Sequence, residues 1–317
     1  MLQASTEMFL AVSVFLSSWL GLVSCGGCKI QLPLNNDSPQ IGMTCPVSGL
    51  RENSVCSGLI FVPGATIPGE NYLPLMTAVQ AHYPGALWVA ATTEWTGEMP
   101  NPLEVGAQLA RCREMADNVG LDTDNVFFAG HSLGGVVLET YVSAHSDLTR
   151  GIALLGTWLP DLLARADNDY PVPVLTAIGE LDGGGLSYLR REVEETAALP
   201  GSVTTFSKTI LVPQVNHAQV ASGEVEQSVV DNDIDGELTE EEAHDNYGVR
   251  VADWLSINAL HLQLLSQEQA QQALLNMAEY EDATTEFLKP FVAMYQAEQL
   301  DFMSQHVTEA QVNYEQN

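Results

Sequence analysis

The sequence predicts an α/β protein, with a mostly parallel sheet, helices on both of its faces and a helical appendix at the C-terminus. From Ser57 onward, short apolar runs alternate with amphipathic stretches, an order typical of parallel strands joined by crossover helices. Hydrophobic residues make up 46% of the 317 residues, which is enough to bury a substantial core. Beyond His261 the chain is rich in Gln, Glu, Ala, Leu and Met and has no strand signal, which predicts helix over residues 262–317.

Six short apolar runs predict strands. In chain order they cover residues 58–62, 87–92, 125–129, 151–155, 172–178 and 205–212. The amphipathic stretches predict helices over residues 71–82, 103–119, 136–145, 188–197 and 240–260. In the appendix, Pro290 lacks the N–H that a continuous helix uses, so we expect two helices that meet near Lys289.

The charge balance excludes some classes of partner. The 41 acidic side chains outnumber the 11 basic ones, which gives a formal net charge of −30 at pH 7. So few Lys and Arg residues cannot form the basic surface that a nucleic-acid backbone requires, and the same charge disfavours anionic membranes. We therefore expect no nucleic-acid partner, and the sequence indicates no obligatory protein partner.

The N-terminus has the pattern of a secretory signal peptide. Residues 9–23 form an apolar run that is short for a membrane span, and small residues follow at Ser24 and Cys25. We therefore expect cleavage of residues 1–25, an α/β domain over residues 26–261, and secretion or delivery to an endomembrane lumen. Two alternatives stay open: lipid attachment at Cys25, and an uncleaved anchor. The segment before the run contains no Lys or Arg, which is unusual for a leader of any of these kinds.

The cysteines fit an oxidising compartment. Removal of Cys25 leaves an even number, which permits three pairings, and these residues are Cys28, Cys45, Cys56 and Cys112. The pair Cys45–Cys56 closes a short loop and is the pairing that we favour, with buried thiols as the alternative. One glycosylation sequon begins at Asn36 and matters only on a eukaryotic secretory route.

Residues 130–134, Gly-His-Ser-Leu-Gly, match the pattern G-x-S-x-G, with a predicted buried strand before them and a helix after them. In this context the pattern predicts a nucleophile elbow, a turn so tight that glycines must flank the serine. Ser132 is therefore the candidate nucleophile. We expect the neighbouring His131 to support the loop and not to act as a base.

A serine nucleophile needs a histidine base and an acid, which in this arrangement follow along the chain in the order acid, then histidine. Asp182 follows strand 172–178, and His217 follows strand 205–212. The carboxyl ends of parallel strands meet at one edge of a sheet, so we expect these side chains to meet Ser132 there. Glu180 is a second candidate for the acid.

Acyl transfer also needs two N–H donors for the oxyanion of the tetrahedral intermediate. We expect the first from Leu133, directly after the nucleophile. The second is expected from the loop after strand 58–62, at Ala65, where Gly64 allows a close approach of the backbone.

Over residues 57–260 these motifs resemble the α/β-hydrolase superfamily, and in particular small esterases with little or no lid. Cutinase-like polyester hydrolases, relatives of dienelactone hydrolase and chlorophyllases share this outline. The resemblance implies that Trp158 lines the acyl pocket, although a core aromatic would also fit that position. The chain departs from the family in having Pro63 where a histidine usually stands, and the tail after His261 is not part of the common core.

A second pattern matches the twelve-residue calcium loop of EF-hands. Its candidate oxygen ligands are Asp231, Asp233, Asp235, Glu237 and Glu242. A Ca²⁺ ion here would have a structural role and would brace the loop of His217. The alternative is that Thr239 and Glu242 form a capping box at the start of a helix, because EF-hands normally occur in pairs and the stretch before Asp231 is a poor helix.

Together these features predict a secreted serine hydrolase of small or lipophilic carboxylic esters, which acts through an acyl-enzyme at Ser132 and requires no cofactor. A chlorophyllase-type hydrolysis of a long-chain pigment ester is one alternative. Another is a catalytically silent hydrolase fold that serves binding, with a calcium loop.

Overall fold

The computed structural model describes residues 22–25, 28–31, 56–93, 95–118, 121, 123–157, 170–186, 208–223, 225, 233–261 and 265–315. These residues form one sheet with helices packed on it. The predicted helix over residues 188–197 lies outside the described residues.

Eight strands are described, and they form one sheet. They are β1 (Leu22–Cys25), β2 (Cys28–Gln31), β3 (Cys56–Val62), β4 (Ala86–Thr92), β5 (Val126–His131), β6 (Ile152–Leu155), β7 (Val174–Gly179) and β8 (Lys208–Val212). Their spatial order is β1-β2-β4-β3-β5-β6-β7-β8, in which β3 to β8 are all parallel and the pairs β1–β2 and β2–β4 are antiparallel. The six strands predicted from the apolar runs are confirmed as β3 to β8.

Five helices are described. They are α1 (Leu73–His82), α2 (Val105–Asn118), α3 (Leu133–Ala144), α4 (Glu240–His261) and α5 (Gln267–Glu315). Side chains of α1 and α4 share a buried cluster on one face of the sheet, and those of α2 and α3 share the cluster on the other face. Helices on both faces were predicted. They follow because β4 is added on one side of β3 and the later strands on the other, and right-handed crossovers in opposite directions lie on opposite faces.

The central strands are buried on both faces. In β3, Leu59 and Phe61 enter the cluster with α1 and α4, whereas Ile60 and Val62 enter the cluster with α2 and α3. A strand that alternates its side chains between two apolar layers has no polar positions, so its sequence is a continuous apolar run. This is why these strands could be recognised from the sequence.

The order of the strands gives the sheet a topological switch point between β3 and β5. The chain goes from β3 to β4 on one side and then crosses to β5 on the other side of β3. The connections after the two neighbouring strands therefore leave in opposite directions. In open α/β sheets, ligands bind at such a switch point, outside the carboxyl ends of the strands.

Helix α5 covers the edge of the sheet at β8. The N–H of Leu211 donates to the hydroxyl of Thr284 over 2.7 Å, and Leu288 packs in a buried cluster with Leu211 and Ile178. The helix runs without interruption past Pro290, so the expected division into two helices is wrong. Proline removes one hydrogen bond from the helix, but Leu288 before it and Val292 after it both pack against the cluster of Ile178 and Leu211.

The two N-terminal strands were not predicted. β1 contains the last four residues of the predicted signal peptide, Leu22–Cys25, and pairs with β2. Cleavage after Cys25 would remove β1 and leave β2 as the edge of the sheet. Within the ranges given above, no helix combines the length and the apolar character needed to span a membrane.

Candidate active site

Ser132 occupies a strained turn between a buried strand and a helix. β5 ends at His131 and α3 begins at Leu133, so one residue makes the turn. Ser132 has φ 51° and ψ −125°, a conformation that residues with a side chain rarely adopt. Its N–H donates to the carbonyl oxygen of Leu155 over 3.0 Å, which ties the turn to the end of β6. This is the geometry that a nucleophile elbow requires.

Two glycines allow the turn to be this tight. A Cβ at Gly130 would lie 2.7 Å from Cα of Gly135. A Cβ at Gly134 would overlap with the carbonyl oxygen of Pro63, in the loop after β3. Any side chain at either position would push the first turn of α3 away from its neighbours. Close packing therefore requires glycine at both positions.

Asp182 and His217 form a hydrogen-bonded pair. Nδ1 of His217 donates to Oδ2 of Asp182 over 2.8 Å. The other carboxylate oxygen of Asp182 accepts the N–H groups of Gly184 and Gly185, at 3.1 and 2.7 Å. The Asp182 side chain is only 3% exposed, so its charge depends on these three donors. The carboxylate therefore fixes the orientation and the tautomer of the imidazole.

The pKa of His217 is raised above its ordinary value. Burial acts in the opposite direction, because it disfavours the charged ring. The hydrogen bond to Asp182, the charge of Asp182 and the charge of Asp233 outweigh burial. The ring is therefore a stronger base than a free histidine.

Glu180, the second candidate for the acid, does not meet His217. Its N–H donates to the carbonyl oxygen of Val212, and its Oε2 accepts the N–H of Gln214 over 2.9 Å. Glu180 therefore stabilises the backbone where the loop after β8 begins. Asp182 is the acid that the structure pairs with the histidine.

The loop of His217 also lies against the elbow. The rings of His217 and His131 pack with their centroids 4.6 Å apart. A Cβ at Gly156, directly after β6, would lie 2.9 Å from Nδ1 of His217 and 3.2 Å from Cδ2 of His131. Among the described residues, no hydrogen bond joins Oγ of Ser132 to His217. The structure thus shows the acid–histidine pair, with the turn of Ser132 next to it.

His131 takes part in a buried network behind the turn. Oη of Tyr72 accepts the N–H of Gly64 over 2.8 Å and lies 2.8 Å from Nδ1 of His131. Burial and the neighbouring His217 lower the pKa of His131 well below its ordinary value, so the ring is neutral. His131 therefore supports the loop, as the sequence led us to expect. The part played by Tyr72 has no signal in the sequence, because it lies in an ordinary amphipathic stretch.

The two candidate oxyanion donors lie where the start of α3 meets the loop after β3. Leu133 is the first residue of α3, so its N–H has no acceptor within the helix. Ala65 follows Gly64, whose N–H is held by Tyr72. The next residue, Thr66, has φ 61° and donates its N–H to the carbonyl oxygen of Glu98 over 2.8 Å. The loop is therefore anchored on both sides of Ala65.

Three of the candidate calcium ligands of the EF-hand-like segment have three different partners. Asp233 accepts the N–H of Ala218, Glu237 accepts the side chain of Gln214, and Glu242 accepts both the N–H and the hydroxyl of Thr239. The last contacts form the capping box that was the alternative interpretation. Within the described part of the chain, no three or more His, Cys, Asp or Glu side chains are grouped as a metal site. Asp231, the first position of the candidate calcium loop, lies outside the described residues, so the calcium site stays a prediction.

Two other predictions fall outside the described residues. Trp158, the candidate for the acyl pocket, is not among them, nor is Cys45 of the favoured disulfide.

Comparison with known proteins adds no assignment, since neither a family model nor a curated protein matches this chain. The functional conclusion therefore depends on the residues of this chain alone.

Proposed function

We propose that this chain is a serine-dependent hydrolase of carboxylic esters with an α/β-hydrolase fold. The observation that carries the proposal is the Asp182–His217 hydrogen bond at the same edge of the sheet as the strained turn of Ser132. A histidine–carboxylate pair alone does not identify an active site, because buried structural histidines also pair with carboxylates. A strained serine in a G-x-S-x-G turn beside such a pair is the constellation used for acyl transfer.

In the proposed reaction, Nε2 of His217 accepts the hydroxyl proton of Ser132 while Oγ attacks the ester carbonyl. The carbonyl oxygen becomes an oxyanion and accepts the N–H groups of Leu133 and Ala65. The intermediate then collapses, the alcohol leaves with the proton from His217, and the acyl group stays on Ser132. Water attacks this acyl-enzyme by the same route, which releases the acid and restores the hydroxyl.

The architecture supports the same proposal. The candidate nucleophile and the candidate oxyanion loop follow β5 and β3, the two strands that flank the switch point of the sheet. The positive end of the α3 helix dipole lies behind the turn of Ser132, where negative charge would develop. The mechanism uses only side chains, backbone N–H groups and water, and so requires no cofactor. Secretion after removal of residues 1–25 stays part of the proposal.

The test is hydrolysis of p-nitrophenyl esters from acetate to palmitate by the purified chain and by its Ser132→Ala variant. Loss of the nucleophile should lower kcat by a factor on the order of 10⁴ or more. Labelling of Ser132 by a fluorophosphonate is the matched chemical readout. Ser143→Ala is the control, since Ser143 is half-buried on α3 and its hydroxyl donates only to the carbonyl oxygen of Thr140 in the same helix. A wild-type chain that hydrolyses none of these esters and is not labelled would overturn the proposal and favour a binding protein.

A further inference from the structure

The segment 233–238, which we call the acidic strap, connects the two loops that carry Asp182 and His217. The N–H of Ile234 donates to the carbonyl oxygen of Leu181 over 3.1 Å. The carbonyl oxygen of Ile234 accepts Nδ2 of Asn216 over 3.0 Å. One strap residue is thus bonded to the residue before the acid and to the residue before the histidine.

The carboxylate of Asp233 holds the other side of His217. Its Oδ2 accepts the N–H of Ala218 over 3.1 Å. Ala218 begins a single 3₁₀ turn, Ala218–Val220, so its N–H has no acceptor within that turn. A hydrogen bond from a backbone N–H to a carboxylate is stronger than one to a neutral oxygen. The strap therefore holds the side chain of Asn216 on one side of His217 and the backbone of Ala218 on the other.

Further contacts fix the rest of the strap on the same loop. The N–H of Glu237 donates to the carbonyl oxygen of Gln214, and Nε2 of Gln214 donates to Oε2 of Glu237, both over 3.1 Å. Nε2 of Gln219 donates to the carbonyl oxygen of Leu238 over 2.6 Å. The loop 214–219 is thus bonded near each end, so the strap and the loop form one unit.

We infer that Asp233 is a positioning residue, which holds the backbone at Ala218 so that His217 keeps its register with Asp182 and Ser132. The inference rests on the proposed function, because it assigns a role in the same reaction. Proton transfer between positioned groups is sensitive to displacement, and a shift of about 1 Å can cost as much as ~100-fold in rate. The acidic strap would therefore brace the loop of His217 by direct hydrogen bonds.

The test compares Asp233→Ala and Asp233→Asn with the control Glu241→Gln. Glu241 is an exposed carboxylate at the start of α4, outside the strap. Alanine removes the acceptor for the N–H of Ala218, whereas asparagine keeps a neutral acceptor of the same size. We expect Asp233→Ala to lower kcat about 10-fold with KM within about twofold, since the loop shifts but the substrate site does not. Asp233→Asn should recover most of kcat, and Glu241→Gln should match the wild type.

A second readout does not depend on activity. Hydrogen exchange of the peptide over residues 214–220 should be faster in Asp233→Ala than in the wild type and unchanged in Glu241→Gln. Should Asp233→Ala fail to fold, the exchange of this peptide in Asp233→Asn decides, and it should be faster than in Glu241→Gln because a neutral amide oxygen accepts the N–H of Ala218 less strongly than a carboxylate does. Equal kcat and equal exchange in the Asp233 variants and the control would overturn the inference.

Two further measurements distinguish failure of the role assigned to Asp233 from failure of the proposed function. If chelation of Ca²⁺ with EGTA lowers wild-type kcat to that of Asp233→Ala, a bound ion and not the hydrogen bond holds the loop, and the inference is wrong. If Ser132→Ala hydrolyses esters as fast as the wild type, the proposed function itself fails and takes this role with it. In that case the exchange data alone report whether Asp233 holds the loop.

Discussion

The hydroxyl of Tyr72 lies 2.8 Å from Nδ1 of His131, the residue directly before the candidate nucleophile. The same hydroxyl accepts the N–H of Gly64 over 2.8 Å. The Tyr72 ring is fully buried and stacks on Phe61, with centroids 4.5 Å apart. One phenol thus joins the elbow after β5 to the candidate oxyanion loop after β3.

Replacement of Tyr72 by Phe should separate these two parts. The variant leaves the N–H of Gly64 and Nδ1 of His131 without a partner in a dry environment, which costs about 1–3 kcal/mol of unfolding free energy. The loop that carries Ala65 loses one of its two anchors, so we expect kcat to fall about 10-fold or more, since misplaced donors stabilise the oxyanion poorly. Denaturant unfolding and ester hydrolysis measure the two effects.

Tyr83→Phe is the matched control for this change. Tyr83 is also buried, and its hydroxyl lies 3.0 Å from Oγ of Ser57, which is at the other end of β3. It should therefore lose a comparable unfolding free energy while its kcat stays at the wild-type value. If both variants lose kcat equally, the effect of Tyr72 is one of stability alone.

The raised pKa of His217 predicts the pH dependence of hydrolysis. The ring must be neutral to accept the proton of Ser132, so activity is lost as pH falls through the pKa of His217. Since that pKa is raised above its ordinary value of about 6.5, the acid limb of kcat/KM should have its midpoint above this pH. The profile should show one histidine only, because the pKa of His131 lies well below its ordinary value. Initial rates on a neutral ester across pH 5 to 9 provide the measurement.

Asp182→Asn tests the cause of that shift. The variant removes the charge and weakens the hydrogen bond at Nδ1, so the midpoint should move to lower pH and kcat should fall by roughly 10⁴-fold. Glu180→Gln, which changes the rival carboxylate two residues earlier, should leave the midpoint unchanged. A midpoint that moves in Glu180→Gln and not in Asp182→Asn would assign the acid to Glu180.

The six parallel strands β3 to β8 could be predicted from the sequence because strands that are buried on both faces consist of continuous apolar runs. The same logic placed Asp182 and His217 at strand ends that meet. The part that could not be predicted depends on contacts between distant segments. The N-terminal strands β1 and β2 have four residues each, and the first of them lies within an apolar run that fits a leader equally well.

Contacts of side chains with distant backbone atoms were also beyond the sequence. Asp233 matched a calcium-loop position, yet its carboxylate accepts the N–H of Ala218, fifteen residues earlier. The calcium-loop pattern identifies only the residues whose side chains carry oxygen atoms. Which donors lie within reach of those oxygens depends on the fold. Tyr72 gave no signal at all, since a buried tyrosine hydroxyl is identified only when its partners are known.

Helix α5 provides a prediction about the stability of the sheet. The edge strand β8 presents the N–H of Leu211 outward, and the hydroxyl of Thr284 accepts it over 2.7 Å. Because Thr284 is only 1% exposed, Thr284→Val would leave this donor buried and unpaired, at a cost of about 1–3 kcal/mol of unfolding free energy. Thr285→Val is the matched control, since its hydroxyl bonds only within the exposed face of the helix and should change stability by less than about 0.5 kcal/mol. Equal unfolding midpoints in denaturant for the two variants would show that α5 does not protect the edge of β8, whereas a selective loss in Thr284→Val would make this helix an integral part of the sheet domain.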